Sequence, residues 1–217
     1  MNQERSKKIV CRLLVFAKAP IPGKVKTRLI PSMGAMAAAS LHKKLVFHSL
    51  ETVTNSELGP VEFWCTPSTK HPFFELCAEK FQLKLHKQTD GDIGKRMAHA
   101  FDHTLRKVPS ALLVGTDCPS LTQDDLKEAA KALAQGMDAV IGPTEDGGYG
   151  LLGLHRFAPE LFAGISWGTV SVLKETRQRF RVLGWRWHEL KERWDVDRPE
   201  DMKRLRFEGL LKGLEKI

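Results

Sequence analysis

Acidic side chains mark two places in this chain where an apolar run stops and chemistry could begin. Asp117 lies within Ala111-Leu-Leu-Val-Gly-Thr-Asp-Cys-Pro-Ser-Leu121, at the end of a run that reads as a buried strand. A carboxylate at the carboxyl end of a central strand lies in the crevice where open α/β sheets bind ligands, so Asp117 is a metal-ligand and catalytic candidate. Asp195 and Asp197 follow the run Trp185 to Leu190, and an extended backbone would put both on one face. Two such strand ends could share one hard cation. Mg2+ or Mn2+ suits them, because these ions take carboxylate oxygen and keep several waters while bridging phosphates. Asp197 also stands ahead of Pro199 as a candidate helix cap, which leaves Asp195 the freer ligand.

Two further stretches carry candidate binding groups. Phe16-Ala-Lys-Ala-Pro-Ile-Pro-Gly-Lys-Val-Lys-Thr-Arg-Leu29 would leave the first strand as a loop. Lys18, Lys26 and Arg28, the Thr27 hydroxyl and backbone amides around Gly23 can face phosphate oxygens there. The loop matches neither the Walker pattern nor the G-x-G-x-x-G fingerprint. In Gly142-Pro-Thr-Glu-Asp-Gly-Gly-Tyr-Gly-Leu-Leu-Gly153, Glu145 and Asp146 would stand at the sheet edge, where they could accept hydrogen bonds from sugar hydroxyls or take a proton from an acceptor. Gly147 and Gly148 permit close backbone approach beside Tyr149, and the same letters also spell an Asp-Gly hairpin turn. Trp167, followed by Gly168 and Thr169, is a candidate sugar-stacking platform. His99 and His103 have helical zinc spacing, but Ala100 stands where a metalloprotease would need glutamate, so they read as packed or solvent-facing. Cys118 reads as a small buried side chain.

Strands alternating with helices must position these groups. Strands are expected over Ile9 to Phe16, Val61 to Cys65, Leu83 to His86, Ala111 to Val114, Ala139 to Ile141, Tyr149 to Leu154 and Trp185 to Leu190. Helices are expected over Ala35 to Val53, Phe73 to Phe81, Ile93 to Lys107, Thr122 to about Gly136 and Val170 to Phe180, with a terminal helix from Pro199. That alternation predicts an α/β fold of three layers, α/β/α, around a mainly parallel sheet. The whole chain, 1–217, reads as one domain.

Composition narrows the partners. The formal charge of +8 is spread along the chain without a stacking-aromatic motif, which argues against nucleic acid. No apolar run spans a bilayer, and four scattered cysteines with no Cys-x-x-Cys pair fit a reducing cytoplasm.

Taken together, the basic loop, Gly-Thr-Asp-Cys-Pro-Ser-Leu, Gly-Pro-x-x-Asp-Gly-Gly-Tyr and Asp-Val-Asp resemble a bacterial family of glycosyltransferases with the GT-A, or nucleotide-diphospho-sugar transferase, fold. Some of its members are linked to arsenosugar biosynthesis. The match runs from about Ile9 to Leu205. The Lys-Thr-Arg-Leu segment also looks like that of molybdenum-cofactor nucleotidyltransferases and lactyl-phosphate guanylyltransferases. The resemblance implies a Rossmann-like fold that binds a nucleoside-diphosphate sugar or a nucleoside triphosphate together with a small-molecule acceptor. It implies Lys18, Lys26 and Arg28 near phosphates, Asp117 with Asp195 or Asp197 on the metal, and Asp146 and Tyr149 near the donor sugar or acceptor. Many GT-A enzymes carry a pair of aspartates where Gly115-Thr-Asp117 supplies only the last.

Overall fold

The computed structural model describes residues 11–207 and 209. Strand β1 (Arg12–Lys18) lies mid-sheet; Ile9 and Val10, expected in it, fall outside the described residues. Its alternation sorts the core. Leu13, Val15 and Ala17 join one buried cluster, and Leu14 and Phe16 join another on the opposite face. A strand that is apolar on both faces must be covered by helices on both.

From β1 the chain passes through the 3-10 turn η1 (Thr27–Leu29) and the short α1 (Ile30–Met33) into α2 (Ala35–Thr54). There follow β2 (Val61–Thr66), α3 (Pro72–Phe81), β3 (Lys84–Lys87), α4 (Ile93–Leu105), β4 (Ala111–Gly115) and α5 (Gln123–Ala134). Local chemistry sets the helix starts. The Asp92 carboxylate accepts from the Lys95 amide at α4, and Thr122 and Asp125 cap each other's backbone amides at α5. The last third holds β5 (Ala139–Pro143), β6 (Tyr149–Leu154), the turn η2 (Pro159–Leu161), α6 (Val172–Val182), β7 (Trp187–Glu189) and α7 (Asp201–Phe207).

These strands form one sheet in the order β3-β2-β1-β4-β6-β5-β7. All pairs are parallel except those of β6, which runs antiparallel to both β4 and β5. The Asp-Gly turn is therefore the loop of a β5–β6 hairpin. Helices α2, α3 and α5 cover one face through residues such as Phe47, Phe74 and Leu126, while α4 and α6 cover the other through Phe101 and Phe180. A smaller cluster, Leu29, Leu41, Leu45, Trp194, Val196 and Leu205, joins the basic loop to the late acidic segment.

Three of the boundaries that shift have a visible local reason. Helix α6 begins at Val172 rather than Val170, because Thr169 and Ser171 spend their hydroxyls on a hydrogen-bonded turn ahead of it. Strand β7 keeps only Trp187–Glu189, the residues that reach a partner on β5, and Trp185 instead stacks on Phe180. The terminal helix starts at Asp201, not Pro199. Its capping carboxylate is also Asp201, which accepts from the amides of Asp197 and Arg198 at 2.9 and 2.7 Å.

Candidate active site

The basic loop begins where β1 ends, and the Ala19 amide bonds to the Thr66 carbonyl beside it. Gly23 has φ +81°, a left-handed conformation that glycine adopts without steric cost. Lys18, Gly23, Lys24, Thr27 and Arg28 face solvent, whereas Val25 and Lys26 turn inward. Lys26 is itself left-handed, at φ +46°, and its side chain is only 3% exposed. Its ammonium donates to the Val196 carbonyl at 2.6 Å and pairs with Asp117 Oδ1. At the rim, Arg28 pairs with Asp197 Oδ2.

Asp117 thus meets the late acidic segment through a lysine, and also through backbone, since the Val196 amide donates to its carbonyl at 2.8 Å. Ser120 adds reciprocal bonds to Trp194, accepting from its amide and donating to its carbonyl. The Asp117 carboxylate is open on one side, 57% exposed, and sits low enough in the crevice for burial to oppose its ionisation. Lys26, His42 and Lys18 outweigh that burial and hold the carboxyl below its ordinary range.

His42, on α2, escaped the sequence reading. Its Nε2 lies 3.0 Å from the Lys18 carbonyl, which can only accept, so this nitrogen carries the proton. Nδ1 is left buried and unpartnered, 4.0 Å from Asp117 Oδ1. Burial lowers the His42 pKa despite the nearby carboxylate. A histidine beside Lys43 and Lys44 within a helix carries no local signal of this role.

On the β5–β6 hairpin loop, Asp146 Oδ1 accepts from the Thr144 hydroxyl at 2.6 Å and the Gly148 amide at 2.9 Å. Glu145 points to Arg204, with 2.9 Å to each oxygen. Gly147 has φ +85°, and a Cβ there would fall 2.3 Å from the Val170 carbonyl oxygen. The hairpin loop is thereby pressed against the 165–171 loop. Trp167 of that loop lies on Gly94 in the first turn of α4, where a Cβ would meet the indole at 2.2 Å. Asp195 stands near Asp146: burial first, and the Asp146 charge second, push its carboxyl up to about 6, while Lys26 pulls the other way. Tyr149 is placed apart, packed in the core with its hydroxyl toward Thr176, and burial raises the phenol.

Contacts therefore join Asp117 with Lys26 and His42 and Asp197 with Arg28, while charge couples Asp117 to Lys18 and Asp195 to Asp146 and Lys26. The model of the DUF2064 family, described as an uncharacterized protein conserved in bacteria, matches residues 49–169. The chain belongs to that family. A crystal structure from Desulfovibrio desulfuricans G20, provisionally named a nucleotide-diphospho-sugar transferase, is 30% identical over 93% of this chain and 88% of its own, with a TM-score of 0.84. The family member also shares its fold with CMP:2-keto-3-deoxy-manno-octonic acid synthetase complexed with CTP, at 12% identity, TM-score 0.60, and coverage of 94% and 99% of the two chains. The inositol-1-phosphate CTP transferase from T. maritima is similar at 10% identity, TM-score 0.59, and coverage of 96% and 97%. No curated protein matches the chain. The nucleotide-diphospho-sugar transferase-like α/β fold expected from the sequence is the one observed.

Among the described residues no group of three His, Cys, Asp or Glu is arranged to enclose a metal. A hard, partly hydrated cation needs only one or two carboxylates when substrate oxygens complete its shell, and Asp117 and Asp195 are donors of that type. A separate cavity of about 520 Å³, lined by His48, Pro119, Thr122, Arg193 and Trp194 among others, contains none of the three aspartates. No helix among the described residues is long and apolar enough to cross a membrane.

Proposed function

We propose that the chain is a metal-dependent glycosyltransferase that moves a sugar from a nucleoside-diphosphate sugar to a small hydroxyl-bearing acceptor. The observation that carries this reading is Lys26, which pairs with Asp117 and donates to the Val196 carbonyl beside Asp195, the carboxyl that also feels the Asp146 charge. Mg2+ or Mn2+, held by Asp117 and Asp195, would supply Lewis-acid stabilisation of the departing diphosphate. Lys18, Arg28 and the amides around Gly23 bind and orient that diphosphate, and their charges favour the transition state, in which its negative charge grows. Asp146, fixed by Thr144 and Gly148, keeps Oδ2 for the acceptor hydroxyl and takes its proton. Trp167 forms the wall over the sugar. The D. desulfuricans relative, whose name refers to the same donor class, supports the assignment.

A second reading, nucleotidyl transfer from a nucleoside triphosphate to a phosphorylated small molecule, draws on the cytidylyltransferases that share the fold. A phosphate nucleophile needs no base, so the Asp146–Asp195 pair favours the first reading. The products separate the two: nucleoside diphosphate from a sugar nucleotide, or pyrophosphate from a triphosphate. The direct test is a thermal-shift screen of sugar nucleotides and nucleotides with and without Mn2+, since a ligand of the native state raises its apparent stability. Asp117→Asn is expected to abolish the Mn2+-dependent part of the shift. An unchanged Mn2+ dependence would remove Asp117 from the metal role.

A further inference from the structure

The carboxylate assigned to the metal already carries a side-chain cation. Lys26 reaches Asp117 from a buried position and a left-handed backbone that an L-residue adopts at a cost. Its second anchor, the Val196 carbonyl, belongs to the segment that bears Asp195. The lysine is thus built into the junction of both candidate metal carboxylates. Lys18 flanks the same carboxylate, and Arg28 occupies Asp197 at the rim.

We infer that Lys26 is a resident competitor for the divalent ion, so that the ion enters this crevice together with a polyphosphate rather than ahead of it. The inference rests on the metal reading above. A bare dication approaching Asp117 meets the like charges of Lys18 and Lys26, and it must displace or share an oxygen that an ammonium holds. A diphosphate reverses both obstacles. Its negative charges screen the lysines and arginine, and its oxygens give the ammonium another acceptor while offering the ion more ligands. Linkage then requires that diphosphate and ion each strengthen the binding of the other by the same factor.

The test is a Mn2+ titration followed by electron paramagnetic resonance, on the full chain, with Mn2+ alone and with inorganic pyrophosphate as a probe independent of any base or sugar. Wild type is expected to bind Mn2+ alone at least tenfold more weakly than with pyrophosphate. K26M is expected to bind Mn2+ alone at least tenfold more tightly than wild type, K26R to behave as wild type, and D117N in the K26M background to lose the gain. Circular dichroism checks the fold of each variant. K26Q, which retains a donor for Val196, carries the same expectation should K26M fail to fold. Asp117-dependent Mn2+ binding that K26M leaves equal or weaker overturns the competitor role and spares the metal reading. Mn2+ binding indifferent to Asp117 in every background overturns both.

Discussion

Asp117 and Asp195 carry the same side chain within reach of the same Lys26 charge and are driven in opposite directions. Lys26, His42 and Lys18 surround the first and hold its carboxyl below the ordinary range. Burial and the charge of Asp146 push the second up to about 6. On the proposed reading, charge ahead of shape would orient the ligand. A phosphate-bearing end would be drawn to the lysine side and a neutral hydroxyl to the aspartate side. Asp117 is held as a carboxylate by neighbouring cations, whereas Asp195 ionises against its burial and the Asp146 charge.

Three substitutions would break or sharpen that contrast. The largest effect is expected on the acidic side, where Gly147→Ala combines left-handed strain with a collision against the Val170 carbonyl. A loss of about 2–4 kcal/mol is expected from the two together, measured by urea denaturation. A loss within error would show that the 165–171 loop does not clamp the Asp146 turn. Next comes Asp195→Asn, whose effect should depend on pH. The native carboxyl binds its proton at higher pH than the unfolded one, so charging it costs the folded state. That cost is absent below the unfolded value of 3.8, grows as pH rises, and is complete above about 6. The variant should gain on the order of 1–3 kcal/mol at alkaline pH and nothing in strong acid. A gain equal in acid and alkali would dissociate Asp195 from the Asp146 charge. The smallest change belongs to the cationic rim: Arg28→Ala removes an exposed pair with Asp197 and should cost about 0–1 kcal/mol of stability. A large loss of stability would make Arg28 a structural strut instead of a ligand-facing group.

Much of the architecture was legible because it follows from period. β1 alternates between two core clusters, and α5 opens at Thr122 with the carboxylates that suit a helix start. What escaped depends on partners distant in the chain. Nothing local to Lys26 reveals that it turns inward to Val196, 170 residues away. Likewise, Gly94 reads as an unremarkable helical glycine until Trp167 is laid on it. The cap at Asp201 was misplaced to Asp197 because proline-based rules fix a helix start only to within a few residues. The placement of Asp117, by contrast, was legible from its position, two residues beyond the carboxyl end of the apolar strand β4.

The backbone bond from Val196 to Asp117 and the reciprocal bonds between Ser120 and Trp194 have a consequence for biogenesis. During synthesis, β1, β2 and β4 can pair while the ribosome still holds the C-terminal third. The pocket itself stays unfinished until residues near 196 emerge and dock. Nascent or proteolytically shortened chains that lack this segment would then carry β1, β2 and β4 with the junction between Asp117 and Val196 still open.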